Sequence, residues 1–344
     1  MSVTVQSYAR SDDPHGLKFE EISDQVDNIN VAKLLAKSNE LPTQAEVDAY
    51  TAAVFDQEKN KATFRQYDES EDNTPRKFYM YVPLSVALPH ESTTYTSALP
   101  FPFRSEQHTK QTVDFNIQAR KKAFEKPRAV MGIWEAMEML DKLVDPSDPD
   151  TDASQIEHLL QTAEAMRKDG KPEWMQVTGL VHDLGKLLYF FGSDSSWDVV
   201  GDTFVVGCEF PQEKIVYPGT FSANPDLDHP VYSTKNGIYE PGCGLDNVMI
   251  TWGHDEYLYM VCKKQSTLPQ AALNMIRYHS FYPWHREGAY KHLMEEKDEQ
   301  ALKDVLAFNP YDLYSKSDAR PDPVELRPYY EGLINKFFPD KINW

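Results

Sequence analysis

Residues 177–191, VTGLVHDLGKLLYFF, constrain the fold of this chain more than any other stretch. Apolar residues recur almost all round the helix this segment would form, which marks an element buried in a core. Yet within five positions it carries His182, Asp183 and Lys186. At about 100° per residue, His182 and Lys186 fall within about 40° of one another and Asp183 lies about 100° from His182, so all three share one side. Leu180, Leu184, Leu187 and Phe191 cover the opposite side. A buried carboxylate without a partner costs several kcal/mol. Asp183 therefore needs either Lys186 with a neighbour, or a metal ion.

The surrounding segments have the same helical texture. TVDFNIQARKKAFEK (112–126), AVMGIWEAMEMLDKLV (129–144), ASQIEHLLQTAEAMRK (153–168), GHDEYLYMVCKK (253–264) and LPQAALNMIRYHSFYP (268–283) repeat apolar residues at three and four spacing and end at Gly or Pro. The acidic turn VDPSDPDTDAS separates the second from the third. Residues 198–244 are rich in Gly and Pro and read as loop with one short strand pair. These patterns predict an all-α fold, a helical bundle with long loops and a short β-hairpin. Residues 1–60 form an acidic N-terminal extension, either partly disordered or with one helix in VDAYTAAVFDQEK (47–59), and residues 61–344 form a single domain. Within it, residues 72–104, with five prolines and a Ser/Thr cluster, read as an insertion on the surface.

Composition narrows the function classes. A chain of 344 residues with 41% hydrophobic content has ample material for a core. No apolar run reaches the roughly 18 residues of a membrane helix, and the start lacks a signal-peptide layout. Net charge is −19, which would repel a phosphate backbone and speaks against nucleic acid as a partner. Cys208, Cys243 and Cys262 are odd in number and scattered, so they suggest neither a disulfide framework nor a thiolate metal site. The expectation is a cytoplasmic protein without membrane contact.

Histidines supply the remaining signal. Each has a plain structural reading: His158 lies almost opposite the Ile156, Leu159, Leu160, Ala163 and Met166 stripe and reads as solvent-facing, His254 as part of a helix cap, and His279 as a satisfied core histidine. Together with His182 and Asp183 they form a set of nitrogen and carboxylate donors suited to iron, manganese or zinc without thiolates. An adjacent His-Asp pair has a particular use, because the imidazole can bind one ion while the carboxylate bridges to a second.

The runs HLLQTAEAMRKDGKPEWMQVTGLVHDLGK, VVGDTF, NPDLDHPVYSTKNGIYEPGCGLDNVMITWGHDEYLYM, MIRYHSFYPWH, NPYDLYSKSD and LRPYYEGLINKFFP, in this order, closely resemble the myo-inositol oxygenase family of the helical HD-domain superfamily. The resemblance covers about residues 62–344. It implies a monomeric oxygenase that opens the ring of myo-inositol with dioxygen to give D-glucuronate, using two iron ions, Fe2+ and Fe3+, with O2 as co-substrate. On one iron it places His158, His182, Asp183 and Asp312, and it has Asp183 bridge to a second iron held by His254 and His279. Asp312, after Asn-Pro, reads from the residues alone as part of a turn; only the resemblance promotes it.

For the small-molecule polyol the resemblance points to Arg65, Asp145, Ser147, Lys186, Gly201, Asp202, His279 and Ser280, with Lys316 beside them, and it gives Lys186 and Asp183 catalytic roles. Such residue types suit a neutral ligand with six hydroxyls, which both donate and accept. Two departures stand out. Pro146 replaces the Glu expected in the acidic turn, and the insertion at 72–104 is longer than the family pattern. The alternative activity is an HD-type metal-dependent phosphohydrolase, which uses the same His and Asp core; the absence of an Arg/Lys cluster near residues 182–186 speaks against it.

Overall fold

The structure, a computed structural model, describes residues 79–80, 102–123, 125–144, 154–314 and 321–344. The extension at 1–60 and its expected helix at 47–59 lie outside those residues, as do Arg65, Asp145, Pro146, Ser147, Lys316 and most of the insertion. The fold is all-α with long loops. Its helices are α1 (Pro102–Lys110), α2 (Val113–Ala123), α3 (Ile133–Leu140), α4 (Gln155–Lys168), α5 (Glu173–Val181), α6 (His254–Gln265), α7 (Gln270–Tyr278), α8 (Tyr282–His285), α9 (Glu296–Tyr314) and α10 (Pro323–Phe337).

Helix α4 begins where its sequence dictates. Ser154 Oγ accepts from the Glu157 amide, and Glu157 Oε2 accepts from the Ser154 amide at 2.9 Å, closing a capping box. Its apolar stripe packs on α3 and α5, with Leu159, Leu160, Ala163 and Met166 fully buried. Because α9 and α10 lie against it as well, the second face carrying His158 is also buried, at 6% exposure, and does not face solvent.

The central segment departs from the expected continuous helix. α5 stops at Val181; after His182 and Asp183 the chain continues as a 3₁₀ helix, Leu184–Phe191. Asp183 sits at φ −97°, ψ 0°, between the two. Leu180, Leu184 and Leu187 stay fully buried in the main core, which also takes in Val177, Leu258 and Ile276.

Two further expectations are corrected, the single helix over 129–144 and the strand pair within 198–244. The 129–144 stretch is not one helix: strand β2 (Val130–Met131) pairs antiparallel with β4 (Ile342–Asn343), and α3 starts only after Gly132, whose amide donates to Glu135 Oε2. Strand β3 (Leu143–Val144) pairs antiparallel with β1 (Tyr79–Met80), inside the insertion. Residues 102–104 of the insertion already belong to α1. The 198–244 loop holds 3₁₀ turns, and its one ladder contact among the described residues reaches beyond it, from Val205 to Ile250. That loop buries its own aromatic cluster of Phe204, Phe210 and Phe221.

Candidate metal centre

The break at residues 182–183 shapes the site. His182 makes the last α-type bond, to Thr178 O at 2.9 Å, and the Lys186 amide then bonds Asp183 O in the 3₁₀ pattern. Three residues per turn eclipse positions i and i+3. Lys186 Nζ thereby lies 2.9 Å from Asp183 Oδ2, both side chains only 7% exposed. Gly185 sits between them in sequence. A Cβ there would collide with the His254 carbonyl, so only glycine lets the start of α6 come this close to Asp183.

Four helices and the junction deliver six side chains to one place. His158 Nε2 and His182 Nε2 are 3.4 Å apart, and Asp312 Oδ1, from the last turn of α9, lies 3.3 and 3.1 Å from them. His254 Nε2 and His279 Nε2, from the start of α6 and the end of α7, are 3.1 Å apart. Asp183 stands between the pairs. Its Oδ2 is 3.7 and 3.6 Å from His158 and His182, and its Oδ1 is 3.3 and 3.6 Å from His254 and His279. Two donor groups within metal-binding reach follow, His158/His182/Asp183 and Asp183/His254/His279, with Asp183 in both.

Ring orientation fits a cation. A carbonyl only accepts, so the contacts of His182 Nδ1 to Gly179 O, His254 Nδ1 to Val199 O and His279 Nδ1 to Ile276 O, at 2.8, 2.8 and 2.9 Å, fix the proton on Nδ1. The Nε2 lone pairs of His254 and His279 then face each other at 3.1 Å, an unfavourable contact unless a cation or an added proton joins them. This is the second-coordination pattern expected around metal-bound imidazoles.

Charge is tuned the same way. Burial works to raise Asp183, but Lys186, His182, His254 and His279 outweigh it and hold its carboxyl well below the usual range. Asp312 is likewise lowered against its burial, by His182 and His158. Burial opposes charge on His254, yet Asp255 and Asp183 push it up to about 10, and His279 is raised by the same two carboxylates against the same burial. The cluster is a set of ionised carboxylates that hold positive charge on nitrogen or on an ion in its place.

Of the polar residues expected around a ligand, Lys186, Gly201, Asp202, His279 and Ser280 fall within the described residues. Ser280 follows His279 and its hydroxyl donates to Asp255 Oδ1 at 3.3 Å. Residues 199–203 link the backbones of His254 and Ser280: Val199 O accepts from the His254 amide, and the Thr203 amide donates to Ser280 O. That run carries Gly201, in a left-handed conformation with φ +113°, and Asp202, which is 3% exposed. Gln107 of α1 donates to Asp202 O at 3.0 Å, and a Cβ on Gly201 would collide with it.

Several contributors were not foreseen from the residues. Gln155 accepts from Lys186 Nζ at 3.5 Å. Gln111 and Asn116, on or next to α2, bond the backbone of Trp252, just before His254. Arg277 and Glu256, each two residues from a site histidine, form a buried ion pair at 2.8 Å that ties α7 to α6. Asp255 also enters the cluster, and its sequence signal was available: His254-Asp255 is a second His-Asp pair, like His182-Asp183.

Comparison with known proteins gives a consistent set of relatives. The family described as myo-inositol oxygenase matches residues 101–344. Inositol oxygenase 1 of Arabidopsis thaliana is 53% identical over 246 residues, covering 70% of this chain and 79% of that protein. Inositol oxygenase of Rattus norvegicus is 48% identical over 240 residues, 69% of this chain and 84% of its own length. The Dictyostelium discoideum inositol oxygenase is 46% identical over 244 residues, 69% and 83% of the two chains.

Proposed function

Because the chain belongs to the myo-inositol oxygenase family, we propose that it opens the ring of myo-inositol with dioxygen to give D-glucuronate, a step of inositol catabolism. The observation that carries this reading is the Asp183 carboxylate, whose two oxygens face two separate histidine pairs. One iron would be held by His158, His182, Asp183 and Asp312, and the other by Asp183, His254 and His279. A bound Fe2+/Fe3+ pair supplies Lewis acidity toward two neighbouring hydroxyls and an electron source for dioxygen.

The chain's own residues do the rest. Lys186 holds its proton at Nζ beside Asp183, where it stabilises negative charge on a substrate oxygen and returns a proton to it. Asp202, Ser280 and the Gly201 backbone would orient the polyol, together with Arg65, Asp145 and Ser147. Leu184 and Leu187, fully buried beside the junction, exclude water from that flank. The same reading treats residues 61–344 as one oxygenase domain of HD type and the protein as a monomer. Its cysteines are free, with Cys208 and Cys262 buried, which suits the reducing cytoplasm. Among the described residues no helix is long and apolar enough to cross a membrane.

The test is one assay on iron-loaded full-length protein. Myo-inositol should yield D-glucuronate with matching dioxygen uptake. Phosphate release from phosphomonoesters, without glucuronate, would replace the oxygenase with the phosphohydrolase.

A further inference from the structure

The His254–His279 pair repeats the arrangement around the His158–His182 pair. In the first pair, Asp312 Oδ1 lies 3.1 and 3.3 Å from the two Nε2 atoms. In the second, Asp255 Oδ1 lies 2.6 Å from His254 Nε2 and 3.3 Å from His279 Nε2. Each pair thus has a carboxylate of its own besides the shared Asp183.

A carboxylate in the first turn of α6 would ordinarily be explained by the helix dipole, which favours anions there. That gain is too small to bury a charge, and Asp255 is 1% exposed. Among the described residues its Oδ2 accepts no hydrogen bond, and Oδ1 receives one hydroxyl, Ser280 Oγ, at 3.3 Å. Nor is Asp255 the usual carboxylate behind a metal-bound imidazole, which grips the nitrogen facing away from the ion. Those nitrogens are engaged by Val199 O and Ile276 O. Asp255 meets the nitrogens that face inward.

We propose that Asp255 sets the charge and affinity of the second ion position, as Asp312 does for the first. The proposal rests on the two-ion reading above, and it gives the second position two carboxylates, Asp183 and Asp255, where the family pattern supplies only Asp183.

Full-length parent, Asp255→Asn and Asp255→Ser are stripped with chelator and titrated anaerobically with ferrous iron, counting bound iron and measuring affinity by competition. Melting is recorded before and after loading. The parent should take up two irons. Each variant should bind the first as the parent does and the second about tenfold or more weakly, with a smaller rise in melting temperature on loading. Parental affinity for both irons in either variant, or equal melting shifts with and without iron, overturns the proposal. Failure of both variants to fold with iron in excess makes Asp255 a structural residue and overturns it too. A parent that binds fewer than two irons removes the two-ion reading itself.

Discussion

Asp183 Oδ1 lies 3.3 Å from His254 Nε2, while the other oxygen of the same carboxylate lies 2.9 Å from Lys186 Nζ. One side chain therefore faces two histidine pairs and a buried ammonium. The arrangement exists because the α-helix ends just before Asp183 and the 3₁₀ turn brings Lys186 back over it. An amide in its place keeps the size but loses the charge and points an NH2 donor at one pair. Asp183→Asn should lower affinity for iron by more than about 100-fold and abolish turnover; His182→Ala should do the same. Iron analysis with an oxygen electrode checks both, and full activity in either variant removes the assignment.

Lys186 separates charge pairing from chemistry. Lys186→Ala leaves the six ligand candidates in place, so iron should stay while turnover drops by about 100-fold or more, the scale of a lost proton donor. Iron content and steady-state rates on the same preparation decide it. Parental kinetics would reduce Lys186 to a counter-ion for Asp183.

Gly185 tests the packing between the two segments. Gly185→Ala drives a Cβ into the His254 carbonyl, so the start of α6 must move away from Asp183. Overpacking of this kind costs about 1–3 kcal/mol, and the ion shared by Asp183, His254 and His279 should be lost first. Calorimetry of stripped protein together with iron counting would show a lower melting temperature and about half the iron. Two retained irons at parental stability would mean the contact is loose.

Protonation should be visible in stripped protein. Asp183 and Asp312 are held low, so their contribution to stability is complete above the unfolded value of about 3.9 and is lost as pH falls through the lowered folded values. His254, raised to about 10, acts in the opposite direction: its contribution is complete below the unfolded value of about 6.5 and is lost as pH rises through about 10. Stripped protein should therefore lose melting temperature between about pH 6.5 and 10. Iron replaces the Nε2 proton, so loaded protein should lose less over the same window. Parallel curves would contradict this.

How far the residues alone reach differs from element to element. Helices α4, α6 and α7 follow their apolar spacing and their Ser, Gly and Pro ends, because local capping and periodicity decide them. The switch at Asp183 is invisible to that pattern: Leu184 and Leu187 are three apart and stay buried in either helix type. His158 reads as solvent-facing because its face is polar and small, and only the packing of α9 and α10 buries it. Asp312 illustrates the opposite difficulty. Pro310 inside α9 suggests a turn, yet the helix continues one more turn and presents the carboxylate to His182. Asp255 was legible as the second His-Asp pair, but its role at the start of a helix hid it.

The two-ion account meets its most direct test in the iron stoichiometry and magnetism of the full-length protein. Anaerobic loading with ferrous iron, partial oxidation and electron paramagnetic resonance should give two irons per chain and the signal of a coupled mixed-valent pair, altered when myo-inositol is added. One iron per chain, or two magnetically independent irons, would contradict a carboxylate of Asp183 shared between them.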